Sequence, residues 1–109
     1  MSRVLQVTAP GNLKLIVNEI HDHTFDVEDV TFDAATACIR VPIEPNWVLE
    51  IAEVESYRLV ESEGVGNYDV NQLLYSEADG SLVITTDVPL TFTVRVSGLD
   101  ISLLELADG

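Results

Sequence analysis

Apolar and polar positions alternate along most of the chain. Leu90, Phe92, Val94 and Val96 are apolar at every second position, with Thr91, Thr93 and Arg95 between them. A period of two marks a strand with one buried face. Ile39, Val41 and Ile43 repeat the pattern, with Ala37 at their head, and Pro42 places that strand at a sheet edge because proline has no N–H to donate. Leu82, Ile84 and Thr86, Tyr68 to Tyr75, and Ile101 to Leu106 read as further strands. Phe25 to Phe32 alternates until Glu28-Asp29, where the slip predicts a bulge or bend. Trp47 to Glu61 predicts one long strand with an irregularity near Glu53, although Trp47, Ile51 and Val54 also fit a helix capped by Asn46.

Only near the N-terminus does the period lengthen. Leu13, Ile16, Val17 and Ile20 stand at i, i+3, i+4 and i+7, and Asn12 precedes them in the N-cap position. This predicts a short helix over 11–21. Leu13, Leu15 and Val17 also alternate, and with a turn at Pro10-Gly11 they fit a hairpin on Val4–Val7 instead. Turns are expected at Asp33–Thr36, at Glu63–Asn67, at Ser97-Gly98 and at Ala78-Asp79-Gly80-Ser81, where Asp-Gly accepts the positive φ a tight hairpin needs. Together the elements predict a β-dominated α+β fold, an antiparallel meander of about seven strands with one short N-terminal helix. They fall in a single domain over 1–109, with no repeat and no linker.

Composition sharpens this picture. Val, Ile and Thr supply 30 of 109 residues, and these β-branched side chains favour strands over helices. Nineteen acids against five bases give a net charge of -14. Nucleic-acid binding relies on Lys and Arg neutralising phosphates, and here Arg3, Lys14, Arg40, Arg58 and Arg95 are scattered singly. The field therefore disfavours nucleic acids and anionic membranes and favours a basic protein or a cation. A lone cysteine, Cys38, allows no internal disulfide, which fits a reducing compartment. With no apolar run of signal-peptide or membrane-span length, the expected location is the cytoplasm.

Candidate chemistry is sparse. No serine has the G-x-S-x-G surroundings of an activated nucleophile, and Gly64-Val65-Gly66 lacks the remaining glycine and basic residue of a phosphate loop. Cys38 sits mid-strand as a small hydrophobe. Carboxylate pairs such as Glu53/Glu55 and Glu61/Glu63 read as solvated strand faces or turns. The one cluster with ligand chemistry is His21-Asp22-His23 with Glu28. In an extended segment both imidazoles share a face and suit a transition metal. At a helix end they instead favour the negative pole of the helix dipole.

The spacing His21-x-His23-x4-Glu28 resembles the core of the first metal motif of cupins, which are small β-barrels. The resemblance covers eight residues. Leu15 and Ala35 stand where that motif carries glycines, and no third histidine exists for a second motif, so the family is not assigned. The resemblance implies a small metal-dependent enzyme with His21, His23 and Glu28 as ligands. The residues otherwise favour a non-enzymatic acidic binding module without a cofactor, docking on a protein partner, basic or a second copy of itself. The candidate docking face is Tyr68, Asp69, Asn71 and Tyr75, because tyrosine joins an apolar body to a polar tip.

Overall fold

The computed structural model describes residues 2–106. In chain order the strands are β1 (Ser2–Val7), β2 (Thr24–Asp26), β3 (Thr31–Asp33), β4 (Cys38–Ile43) and β5 (Trp47–Ile51), then β6 (Val54–Glu61), β7 (Asn67–Ser76), β8 (Ser81–Thr86), β9 (Leu90–Val96) and β10 (Ile101–Glu105). The helix α1 (Leu13–Ile20) lies between β1 and β2, and short 3-10 turns occupy Pro10–Asn12 and Val27–Asp29. The strands form two antiparallel five-stranded sheets, ordered β1-β10-β5-β4-β3 and β2-β7-β8-β9-β6. Both sheets send side chains into one continuous core, in which Phe25 lies 6.0 Å from Phe92 and 6.2 Å from Tyr68 between ring centroids.

The β-dominated class and the single short helix are as expected, but ten strands in two sheets replace a seven-strand meander. Only β3-β4-β5 and β7-β8-β9 follow the chain from neighbour to neighbour. From β6 to β7 the chain stays in the second sheet but skips to a non-adjacent position. At the other four connections it crosses between sheets, and two of these crossings coincide with irregularities in the pattern. Phe25 to Phe32 is not one bent strand: the 3-10 turn at Val27–Asp29 carries the chain from β2 in one sheet to β3 in the other. Trp47 to Glu61 likewise divides at Ala52-Glu53. Glu53 takes a positive φ of 56°, sparsely populated for a residue with a Cβ. Its carbonyl accepts the Ser97 N–H at 3.0 Å, while the Ala52 N–H donates to the Asp100 carbonyl at 2.9 Å.

The helix buries Leu13, Ile16 and Ile20, the positions its period selects. Asn12 makes no side-chain cap. The helical turn begins instead at Pro10, whose fixed φ suits a first helical position, and the Asn12 N–H donates to the Ala9 carbonyl. β1 pairs with β10 and not with a hairpin partner. β4 is not the edge strand that Pro42 suggested, since it lies between β5 and β3. But β3 runs along it only as far as the Thr31–Arg40 pair, so at Pro42 the strand has a paired neighbour on one side, which accommodates the missing N–H. Ala37 lies in the turn with a φ of 53°, outside the β4 face it was expected to head. Among the described residues no helix is long and apolar enough to cross a membrane.

Candidate functional site

The helix ends where the first candidate cluster begins. His21 is the C-terminal cap of α1 and donates its N–H to the Val17 carbonyl. Asp22 adopts a φ of 67°, a left-handed turn that Asp tolerates better than most residues. The turn is anchored to β7: the Asp22 N–H donates to the Val70 carbonyl and the Val70 N–H to the His23 carbonyl, both at 2.9 Å. This backbone is neither helix nor strand, so the period of two needed to align both imidazoles is broken. Nδ1 of exposed His21 lies 3.3 Å from the Asp22 carboxylate, and His23 is half-buried. Glu28 stands apart in the Val27–Asp29 turn. Among the described residues no three His, Cys, Asp or Glu side chains converge as metal ligands; the structure does not gather His21, His23 and Glu28 into a site.

The second candidate face is divided by a bulge. In β7, Val70 pairs with Thr86 but Gln72 with Thr85, so one extra residue interrupts the ladder. Before the bulge Tyr68 and Val70 point inward, leaving Asp69 and Asn71 outside. After it, inward positions become Leu73 and Tyr75. Tyr75 is therefore on the opposite face from Asp69 and Asn71. Tyr68 is only 1% exposed and belongs to the core. Its hydroxyl donates to Glu61 Oε1 at 2.8 Å, and the same oxygen accepts the Gly66 N–H at 2.8 Å. Burial, reinforced by this bond to a carboxylate, raises the Tyr68 pKa above its ordinary value of 10.0. Glu61, read as a solvated acid, is thus a structural acceptor at the end of β6.

No nucleophile emerges. Cys38 is half-buried, and burial, followed by the nearby Glu50 carboxylate, raises its thiol pKa and disfavours the reactive thiolate. Arg40, beside it, pairs with Glu50 at 2.7 Å. A 370 Å³ groove runs between the Val27–Asp29 turn and the Gly66 loop, lined by Asp26, Glu28 and Glu61 with Val27 and Val65. Two of its carboxylates are engaged, Glu61 as above and Asp26 by the Asn67 amide at 2.6 Å.

An aromatic pair that sequence reasoning missed lies at the margin between the sheets. Phe32 is opposite Ile39 and Tyr57 opposite Val94, so both stand at core-facing register positions. Yet β3 and β6 are the outermost strands of their sheets, and here the core reaches the surface. Phe32 and Tyr57 remain 40% and 47% exposed, with ring centroids 5.4 Å apart. The other five aromatic residues are buried or half-buried. Alternation marks Phe32 and Tyr57 as inward-facing; it carries no signal that the core is open at that point.

The outer face of the second sheet has a different character. Its outward positions are Ser56, Arg58 and Val60 on β6 and Thr91, Thr93 and Arg95 on β9. They continue with Ser81, Val83 and Thr85 on β8 and Gln72, Leu74 and Ser76 on β7. None of these twelve is acidic, although the chain has 19 acids. The acids of this face are Asp26 on β2 and Asp69 on β7, before the β7 bulge, and Glu55 occupies the β6 bulge beside Ser56. No protein-family model, curated protein or solved structure matches this chain.

Proposed function

We propose that the protein is a non-enzymatic module that docks on a protein partner through the Phe32–Tyr57 pair. The observation that carries this reading is the pair itself, two touching rings held exposed by the edge strands of different sheets. Aromatic residues are enriched among interface anchors because they offer large apolar area at small entropic cost. Asp33 follows Phe32, and Glu55 lies two residues before Tyr57, whose immediate neighbours are Ser56 and Arg58. A partner presenting Arg or Lys gains contact with the ring faces and long-range attraction from the net charge of -14. Tyr57, not the Tyr68–Tyr75 segment, is then the tyrosine that meets the partner. The unpaired Cys38 fits a reducing compartment, and we place the complex in the cytoplasm.

The test is site-specific crosslinking in the source cells. A photoreactive residue at position 57 should trap a defined protein that one at position 15, on the exposed side of α1, does not. The purified partner should then bind roughly tenfold or more weakly to Tyr57→Ser and Phe32→Ser, the loss expected of an interface anchor. Equal crosslinking from both positions, or unchanged affinity in both variants, overturns the reading. A species at twice the monomer mass would identify the partner as a second copy.

A further inference from the structure

We propose that the outer face of the second sheet carries an oxyanion site, formed by Arg58 and Arg95 with the hydroxyls of Ser56, Ser81 and Thr93, and that its ligand is a phosphomonoester group. Register places these residues together. Arg95 on β9 has Ser56 opposite it on β6 and Ser81 opposite it on β8, while Arg58 on β6 lies opposite Thr93 on β9. The two arginines are diagonal cross-strand neighbours, a spacing that long side chains bridge. All five residues line one shallow groove of 270 Å³.

Charge makes the groove unusual for this molecule. The ion pairs among the described residues are His21–Asp22 and Arg40–Glu50, so neither Arg58 nor Arg95 is neutralised by a carboxylate. Apart from Glu61, which is bonded to Tyr68 and Gly66, the acids on these strands are Glu55, in the β6 bulge beside Ser56, and Asp69, before the β7 bulge. Neither forms an ion pair with these arginines. In the turn before Ser81, the Asp79 carboxylate accepts the Ser81 N–H at 3.3 Å, and its pKa is lowered, chiefly by hydrogen bonding to Ser76. Two adjacent guanidinium groups repel each other across the strands, and a bound anion relieves that repulsion.

Donor number selects the kind of anion. One guanidinium fork already matches the two oxygens of a carboxylate. The groove offers two forks and three hydroxyls, which suits a tetrahedral group with several charged oxygens. The net charge of -14 opposes the approach of any anion, so affinity must come from these short-range contacts and not from long-range attraction. Tyr57 also lines this groove, but the anion contacts are assigned to the two arginines and three hydroxyls, so the site does not depend on the docking reading.

The test is nuclear magnetic resonance titration of the full chain at constant ionic strength with O-phosphoserine, a phosphoserine peptide and the same peptide with glutamate in place of phosphoserine. Saturable shifts centred on Ser56, Ser81, Thr93 and the two arginine side chains are expected. Arg58→Gln and Arg95→Gln should each weaken binding roughly tenfold or more, the loss of a charge-assisted hydrogen bond. Both variants should melt close to the parent, since neither residue is buried or paired with a carboxylate among the described residues. A phosphopeptide that binds more tightly than O-phosphoserine identifies a phosphorylated protein as the source; equal affinity identifies a small phosphoester. Absent or dispersed shifts, full binding by both variants, or an equal response to the glutamate peptide overturns the proposal.

Discussion

The two faces of the second sheet are built on the same strands and differ in almost everything else. Inward, Phe92, Val94, Leu82 and Ile84 are closed off from solvent. Outward, one residue along, stand hydroxyls, two arginines and a few aliphatic side chains. Neighbours such as Phe92 and Thr93 share backbone conformation and strand propensity. What separates them is the removal of apolar area from water, about 25 cal/mol per Å² on one face. The inner face holds the fold, and the outer face is free to be shaped by a ligand.

The sharpest way to break this contrast is Phe92→Ala, which should cost roughly 3–5 kcal/mol in denaturant melts because it empties a fully enclosed ring site. Gly80→Ala comes next, at about 2–4 kcal/mol. Gly80 has a φ of 67°, and an added Cβ would stand 2.8 Å from the Val96 carbonyl oxygen, so the β7-β8 turn must shift. A third substitution, Tyr68→Phe, should cost about 1–2 kcal/mol through loss of the hydrogen bond to Glu61. It should also remove a pH effect. Because the folded hydroxyl keeps its proton above the ordinary value of 10.0, the unfolded chain ionises first. The stability this proton holds is complete below that pH and falls as pH rises past it. Thermal melts between pH 9 and 11 should show a steeper decline in the parent than in Tyr68→Phe, on the order of the shift's linkage energy.

Added sodium chloride should raise the melting temperature by a few degrees, since screening weakens repulsion among 19 acids of which only one pairs with an arginine in the described residues. The smallest effect sharpens the comparison most. Thr93→Ala should change stability by less than about 0.5 kcal/mol. A loss as large as that of Phe92→Ala would show that the outer face is covered in solution.

The alternation at Leu90–Val96 was legible because one face is buried along the whole strand, with Leu90 half-buried at its start. The α1 period was legible for the same reason. The sheet crossings were not. At Glu53 the change of sheet rests on a single left-handed residue and on hydrogen bonds to Ser97 and Asp100, more than forty positions away. The face through β7 was misread because its bulge leaves no mark in composition: Asn71 and Gln72 are polar on either side of the slip. The histidine cluster shows the limit of spacing as evidence, since His21 and His23 are two residues apart on a backbone with no regular period. The open margin at Phe32 and Tyr57 depends on which strands end each sheet, a long-range property. The Arg58–Arg95 groove depends equally on pairing between β6 and β9, whose two arginines are 37 positions apart and read in sequence as isolated bases.

The placement of β10 bears on the order in which the molecule can assemble during synthesis. It lies between β1 and β5, pairing with both, although it is made after every other strand. Until residues 101–105 leave the ribosome, β1 has no strand to join and β5 presents a bare edge. The three strands β7, β8 and β9 can zip as successive hairpins, but the first sheet must wait for its penultimate position to be filled. Translation therefore holds an apolar edge open until β10 has been made, an interval in which such chains are exposed to edge-to-edge aggregation and to capture by chaperones. Slowing elongation before residue 101 should lengthen that interval without altering the finished fold.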